Sequence, residues 1–161
     1  MTGPTTRRSG SFETTEDIGR SLAAELAVGD IVLLEGDLAA GKTTLTRGLV
    51  EGLGGDGAEV SSPTFVLIQT YPCSSDAIRR LHHVDLYRAG DTVADLRELG
   101  LEDVLSDPEA VVAVEWPRNT IAQWVPADAR VWRVSLTLTD TSVRNIEISG
   151  PDKRIERNSE C

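Results

Sequence analysis

The sequence predicts an α/β fold, with a mostly parallel sheet flanked by helices and an antiparallel hairpin at its C-terminal end. Three observations predict it. The short apolar runs Ile31-Val32-Leu33-Leu34 and Val111-Val112-Ala113-Val114 suit parallel strands covered on both faces. Helical stripes lie around them, for example Ile18, Leu22 and Leu26, or Leu45, Leu49 and Leu53. Near the end, Val134, Leu136 and Leu138 alternate with polar residues, and the alternation returns at Ile146 and Ile148 after the turn at Asp140 to Ser142.

Length and composition bound the possibilities. At 161 residues and 40% hydrophobic content, the chain suits one domain with a full core. The expected division is a mobile arm over residues 1–10, the folded domain over 11–150 and a polar tail over 151–161. No apolar run is long enough to span a membrane, and Met1 to Gly10 is polar rather than leader-like. Cys73 and Cys161 are far apart without metal-ligand spacing, so a reduced cytoplasm is the expected setting. The net charge of −10 argues against a wide nucleic-acid surface on the chain itself, because backbone contacts need clustered Lys and Arg.

Taken in order, the first helix is expected near Thr14-Thr15, where a hydroxyl caps the first turn and Asp17 favours its positive end. Gly29-Asp30 then turns the chain into the strand at Ile31. The next segment carries the strongest signal. Gly36-Asp37-Leu38-Ala39-Ala40-Gly41-Lys42-Thr43-Thr44 fits the phosphate-binding pattern G-x-x-x-x-G-K-[ST] and stands between a strand and a helix. Glycines allow the tight turn that brings backbone N–H groups to phosphate oxygens. Lys42 supplies a point charge for the outer phosphates, Thr43 a hydroxyl suited to Mg²⁺, and the helix start adds its positive end. The predicted domain is therefore P-loop NTPase-like, with ATP and Mg²⁺ as its ligands.

After Gly54 to Glu59 comes Ser61-Ser62-Pro63-Thr64-Phe65, where Pro63 stiffens the entry to a strand over Val66 to Tyr71. This is either a simple loop or a switch-like segment whose Thr64 hydroxyl faces the nucleotide. Leu81 to Arg88 reads as a strand. Its adjacent His82 and His83 point to opposite faces, one to the core and one to the surface, and so are poor joint metal ligands. Asp85 at its end is placed where Mg²⁺ or an attacking water is held. Val93, Leu96, Leu99, Val104 and Leu105 give a helical pattern broken at Gly100. The strand at Val111 ends in Glu115-Trp116-Pro117, a second carboxylate at the ligand edge of a parallel sheet. A structural Glu is the plain alternative, but a buried charge there calls for a partner such as Mg²⁺. The Trp116 indole suits either stacking on a base or filling core. Ile121 to Trp124 forms a short amphipathic turn, and Arg144 lies in phase with Ile146 and Ile148.

Four separated signals now stand in order: the G-D-L-A-A-G-K-T-T loop, S-P-T-F at Ser62 to Phe65, H-x-D-L-Y-R from His83 to Arg88, and E-W-P at Glu115 to Pro117. Together with T-x-x-x-G at Thr15 to Gly19 and E-L-G-L-E-D at Glu98 to Asp103, they resemble the bacterial TsaE family, over about Thr15 to Gly150. The resemblance implies a P-loop ATPase of tRNA threonylcarbamoyladenosine biosynthesis. Such a protein works with two larger partners, TsaD and TsaB, on the adenosine beside the anticodon of tRNAs that read codons beginning with A; tRNA is met through the partners. It further implies that Thr43 and Glu115 bind Mg²⁺, Asp85 acts near the γ-phosphate, Thr15 lies near the adenosine, and Ser62 to Phe65 move with nucleotide state. The loop departs from the family's common Gly-Ala in holding Ala39-Ala40. Two other readings fit the loop: a small-molecule kinase, for which no Arg-rich lid is visible, and a nucleotide-sensing module with little turnover.

Overall fold

The computed structural model describes residues 3–61, 67–87, 97, 99–117 and 119–152. Its centre is a seven-stranded sheet in the order β1-β7-β6-β2-β5-β4-β3. The strands are β1 (Thr5–Ser9), β2 (Ile31–Glu35), β3 (Ile68–Pro72), β4 (Arg80–Asp85), β5 (Ala110–Glu115), β6 (Val131–Leu138) and β7 (Arg144–Asp152). The four central strands β6, β2, β5 and β4 are parallel, and antiparallel partners close both flanks.

Strands β2 and β5 read as apolar runs because both of their faces are covered. On β2, Val32 and Leu34 enter one core with Leu22 and Ile18 of helix α1 (Phe12–Ala23) and Leu45 and Leu49 of helix α2 (Lys42–Gly52). The alternate residues Ile31 and Leu33 enter a second core with Leu101 and Leu105 of the short helix α3 (Leu101–Leu105) and with Ile121. The first core is tight because α1 and α2 touch backbone to backbone. A Cβ added at Gly19 would lie 2.3 Å from the Leu45 carbonyl oxygen, and one at Gly48 would lie 2.1 Å from that of Glu16. Asp30, expected only to turn the chain, is a buried carboxylate that receives Ala27 N, the Arg130 guanidinium and Trp132 Nε1. It ties the start of β2 to β6.

Several sequence expectations change. Residues 5–9 of the expected arm form β1, paired with β7 from Thr5 opposite Ile148 to Ser9 opposite Arg144. An edge strand with exposed faces needs no apolar alternation, only open backbone groups on its neighbour, so Thr-Thr-Arg-Arg gave no hydrophobic signal. At the other end β7 runs on to Asp152, two residues into the expected tail; the rest of the tail lies outside the described residues. Helix α1 starts earlier than Thr14, because Ser11 is its cap and its Oγ accepts from Thr14 N at 3.1 Å. His82 and His83 are both buried, since β4 has strands on both sides and cover on both faces. Val93 and Leu96 of the broken helical pattern, Ser62 to Phe65 and Arg88 lie outside the described residues.

Candidate nucleotide site

Three neighbouring strands deliver the site. In the order β2, β5, β4 they end side by side, with Leu34 registered against Glu115 and Glu115 against Asp85. The phosphate-pattern loop therefore leaves β2 next to two carboxylates at the carboxyl edge of the parallel sheet, where open α/β folds place ligands. A cleft of about 530 Å³ opens there.

The loop's shape follows from its residues. Gly41, at the cap position of α2, has φ +107°, and Ala39 has φ +63°. Gly41 adopts that conformation without strain and brings no capping side chain, so the first-turn N–H groups of α2 remain available to an anion. Lys42 opens the helix with its side chain folded back. Its ammonium donates to the carbonyls of Gly36 and Asp37, at 3.0 Å for Asp37, and sits 4.0 Å from the Trp116 ring centroid. Burial pulls its pKa below the ordinary lysine value, while Glu115, Asp85 and Asp37 pull the other way.

Glu115 is almost fully buried, and each of its oxygens has a separate partner. Thr43 Oγ1 donates to Oε1 at 3.2 Å, and His83 Nε2 lies 3.0 Å from Oε2. Asp85 accepts the Tyr87 N–H at 2.9 Å. Burial raises its pKa above the usual carboxylate value, and the charge of Glu115 adds to that; the Tyr87 N–H opposes it. The cleft thus joins one mobile cation, a helix start and two carboxylates in unequal environments. That donor set can hold a polyphosphate and a hard divalent cation beside a carboxylate able to accept a proton.

The family model for threonylcarbamoyl adenosine biosynthesis protein TsaE matches residues 9–146. The chain belongs to the TsaE family. Its similarity to other TsaE proteins is spread over several bacteria. The tRNA threonylcarbamoyladenosine biosynthesis protein TsaE of Streptomyces coelicolor is 41% identical over 140 residues, covering 86% of this chain and 91% of that protein. The Bacillus subtilis TsaE is 43% identical over 104 residues, or 65% of this chain and 61% of that protein. Among solved structures, Bacillus subtilis YdiB superposes with a TM-score of 0.68 at 28% identity, covering 94% of this chain and 88% of that one. Membership of the TsaE family and this fold both support nucleotide binding.

Most of the residues expected at a TsaE nucleotide site come together. Leu38, Ala39, Ala40, Gly41, Lys42, Thr43, Thr44, Asp85, Glu115 and Trp116 line the cleft. Gly36 and Asp37 contribute carbonyls to the Lys42 ammonium at its edge. Thr15 is placed differently. It is 1% exposed, with its hydroxyl 2.7 Å from Ser9 Oγ and bonded to the Ser11 carbonyl, and it does not line the cleft. The earlier helix start puts residue 15 a full turn in, on the buried face of α1. Thr64 lies outside the described residues.

Among the described residues, four more line the cleft: Phe12, Leu67, Tyr87 and Arg144. Tyr87 packs on Trp116 with ring centroids 4.9 Å apart. Arg144 Nη2 donates to the Ala39 carbonyl at 3.3 Å, and its guanidinium lies 5.7 Å from the Phe12 ring. The phase of Arg144 with Ile146 was the visible signal for its inward direction. Phe12 had none, because a lone exposed aromatic beside a cap looks like any surface residue.

Proposed function

We propose that this chain is the ATP-binding and ATP-hydrolysing component of the machinery that forms N6-threonylcarbamoyladenosine beside the anticodon of tRNAs reading A-starting codons. The observation that carries the reading is the meeting of Lys42, the uncapped start of α2, and the Thr43–Glu115 pair in one cleft. Family membership and relatives named for tRNA threonylcarbamoyladenosine biosynthesis favour it over a kinase or a passive sensor.

In this reading the loop from Gly36 to Thr44 wraps the phosphates, with N–H groups at the start of α2 as donors. Lys42 releases the Gly36 and Asp37 carbonyls and places its charge on the outer phosphates, supporting both binding and catalysis. Trp116 walls the nucleotide and offers a ring for stacking. The residues present fit Mg²⁺, because the Thr43 hydroxyl and the Glu115 carboxylate are hard oxygens already side by side. Mg²⁺ takes only one or two protein oxygens beside phosphates and water, and the described residues hold no cluster of three or more His, Cys, Asp or Glu gathered for a metal. When bound, the ion would neutralise charge on the phosphates. Asp85, made more basic by burial, orients the attacking water and accepts its proton.

No helix among the described residues is long and apolar enough to cross a membrane. The proposed partners are TsaD and TsaB in the cytoplasm, with tRNA met through them. The acidic balance of −10 supports that division, since contacts to an RNA backbone need clustered Lys and Arg. The test is Lys42→Ala. Calorimetric titration should show ATP affinity lost and the melting transition kept, because the ammonium's contacts are with loop carbonyls and the Trp116 ring at the cleft rather than with the apolar cores. Wild-type ATP affinity in the variant would refute the reading.

A further inference from the structure

We propose that His83 is a positioning residue for Glu115: its Nε2–H holds one carboxylate oxygen so that the other faces Thr43 at the mouth of the loop. The inference rests on the reading of Thr43 and Glu115 as the Mg²⁺ pair and names what makes that pair competent.

Glu115 ends β5 and His83 stands two residues before the end of the adjacent parallel strand β4. His83 is registered with Ala113, so it reaches forward to the carboxylate from behind the site. It is completely buried and does not line the cleft. A carboxylate only accepts, so the 3.0 Å contact assigns the imidazole proton to Nε2. The opposite ring nitrogen, Nδ1, is buried without a hydrogen-bond partner among the described residues. A histidine present only to fill the core would be expected to satisfy both nitrogens, or to be replaced by an apolar residue. Among the described residues one nitrogen is spent on Glu115 and the other on no partner, which makes the bond to Oε2 the polar reason for the residue.

The consequence is geometric. Without His83, a Glu side chain at a strand end has several rotamers and two equivalent oxygens. With Oε2 fixed from behind, Oε1 is the oxygen left toward Thr43 Oγ1 at 3.2 Å. Groups that orient metal ligands in this way typically matter by 10- to 100-fold in metal affinity. His82, its neighbour, cannot substitute, because its ring is engaged with Thr70 and Asp107 on the other face.

The experiment compares His83→Leu, His83→Asn and His83→Gln with the wild type. ATP affinity is titrated calorimetrically with Mg²⁺ and again in a chelator, and melting is followed on the same samples. Gln carries an amide N–H near the position of Nε2, whereas Asn is too short to reach Oε2. The expected result is that His83→Leu and His83→Asn keep their chelator affinity within about twofold and lose roughly 10- to 100-fold of the gain that Mg²⁺ brings. His83→Gln should recover most of that gain. In a Glu115→Gln background, His83→Leu should change the Mg²⁺ dependence no further. Equal Mg²⁺ gain in wild type and both donor-less variants would overturn the proposal, as would losses equal in chelator and in Mg²⁺, or Gln behaving like Asn. If Leu fails to fold, the Asn and Gln pair decides alone. A wild-type affinity indifferent to Mg²⁺ would instead overturn the underlying assignment of Thr43 and Glu115.

Discussion

Gly48→Ala tests the packing that holds the phosphate loop in place. On an exposed helix this change stabilises, by about 1 kcal/mol of helix propensity. Here the added Cβ would stand 2.1 Å from the Glu16 carbonyl oxygen, 2.9 Å from its carbon and 3.0 Å from its Cα. Ordinary contact begins near 3.4 Å. The obstacle is backbone, so no side-chain rotation relieves it, and α1 and α2 must separate locally by more than about 1 Å. On the facing helix a Cβ added at Gly19 would likewise stand 2.3 Å from the Leu45 carbonyl oxygen, so a shift along the axes does not escape the problem. Overpacking of a close-packed interior costs about 1–3 kcal/mol, and a clash with fixed backbone belongs at or above the upper end. The net expectation is about 2 kcal/mol of destabilisation, or roughly 4–8 °C in Tm for a domain of this size. Urea unfolding should show a lower midpoint with an unchanged slope, and calorimetry a lower Tm. A variant as stable as the wild type would show that the two helices do not meet backbone to backbone.

Asp85→Asn should keep ATP binding and lose most partner-stimulated turnover, because the amide keeps the shape and the Tyr87 bond but cannot take a proton. Its folded pKa is raised, so the charged form costs stability: the cost is absent below the unfolded value near 4, grows between the two values and is full above the folded one. The variant should therefore melt no lower than the wild type at neutral pH, and wild-type turnover should fall on the acid side at a higher pH than an ordinary carboxylate would give. Asp107→Asn should act in the opposite sense. Arg80 and His82 hold the Asp107 carboxyl well below the usual carboxylate range, so its stabilisation is present above the unfolded value near 4 and is lost as pH falls through the folded one. The variant should lose about 1–3 kcal/mol at neutral pH and much less in acid, read from urea unfolding at several pH values.

The legible parts of the fold were those where one local rule sufficed. Ile31 to Leu34 and Val111 to Val114 announced buried parallel strands because both faces are covered, and Gly36 to Thr44 carried its chemistry in its own spacing. The two carboxylates Asp85 and Glu115 were readable because each ends an apolar strand, although only the strand order brings them into register. What escaped depended on tertiary partners. β1 is polar and is a strand only because β7 offers an open edge. Thr15 is buried because the helix is capped at Ser11 rather than near Thr14. His83 shares a sequence pair with His82, and only the sheet shows that one meets Glu115 and the other Asp107.

The central claim is that this cleft hydrolyses ATP in service of a larger complex. The measurement that tests it most directly is ATP turnover by the chain alone and then with TsaD, TsaB and tRNA, with threonylcarbamoyladenosine formation followed in the same mixture. A group supplied in trans to a P-loop site is worth about 10³–10⁵ in rate. Slow hydrolysis alone, marked acceleration by the partners and modified tRNA that depends on Lys42 are the predicted results. Full-speed hydrolysis by the isolated chain, or modification that proceeds equally well with Lys42→Ala, would contradict it.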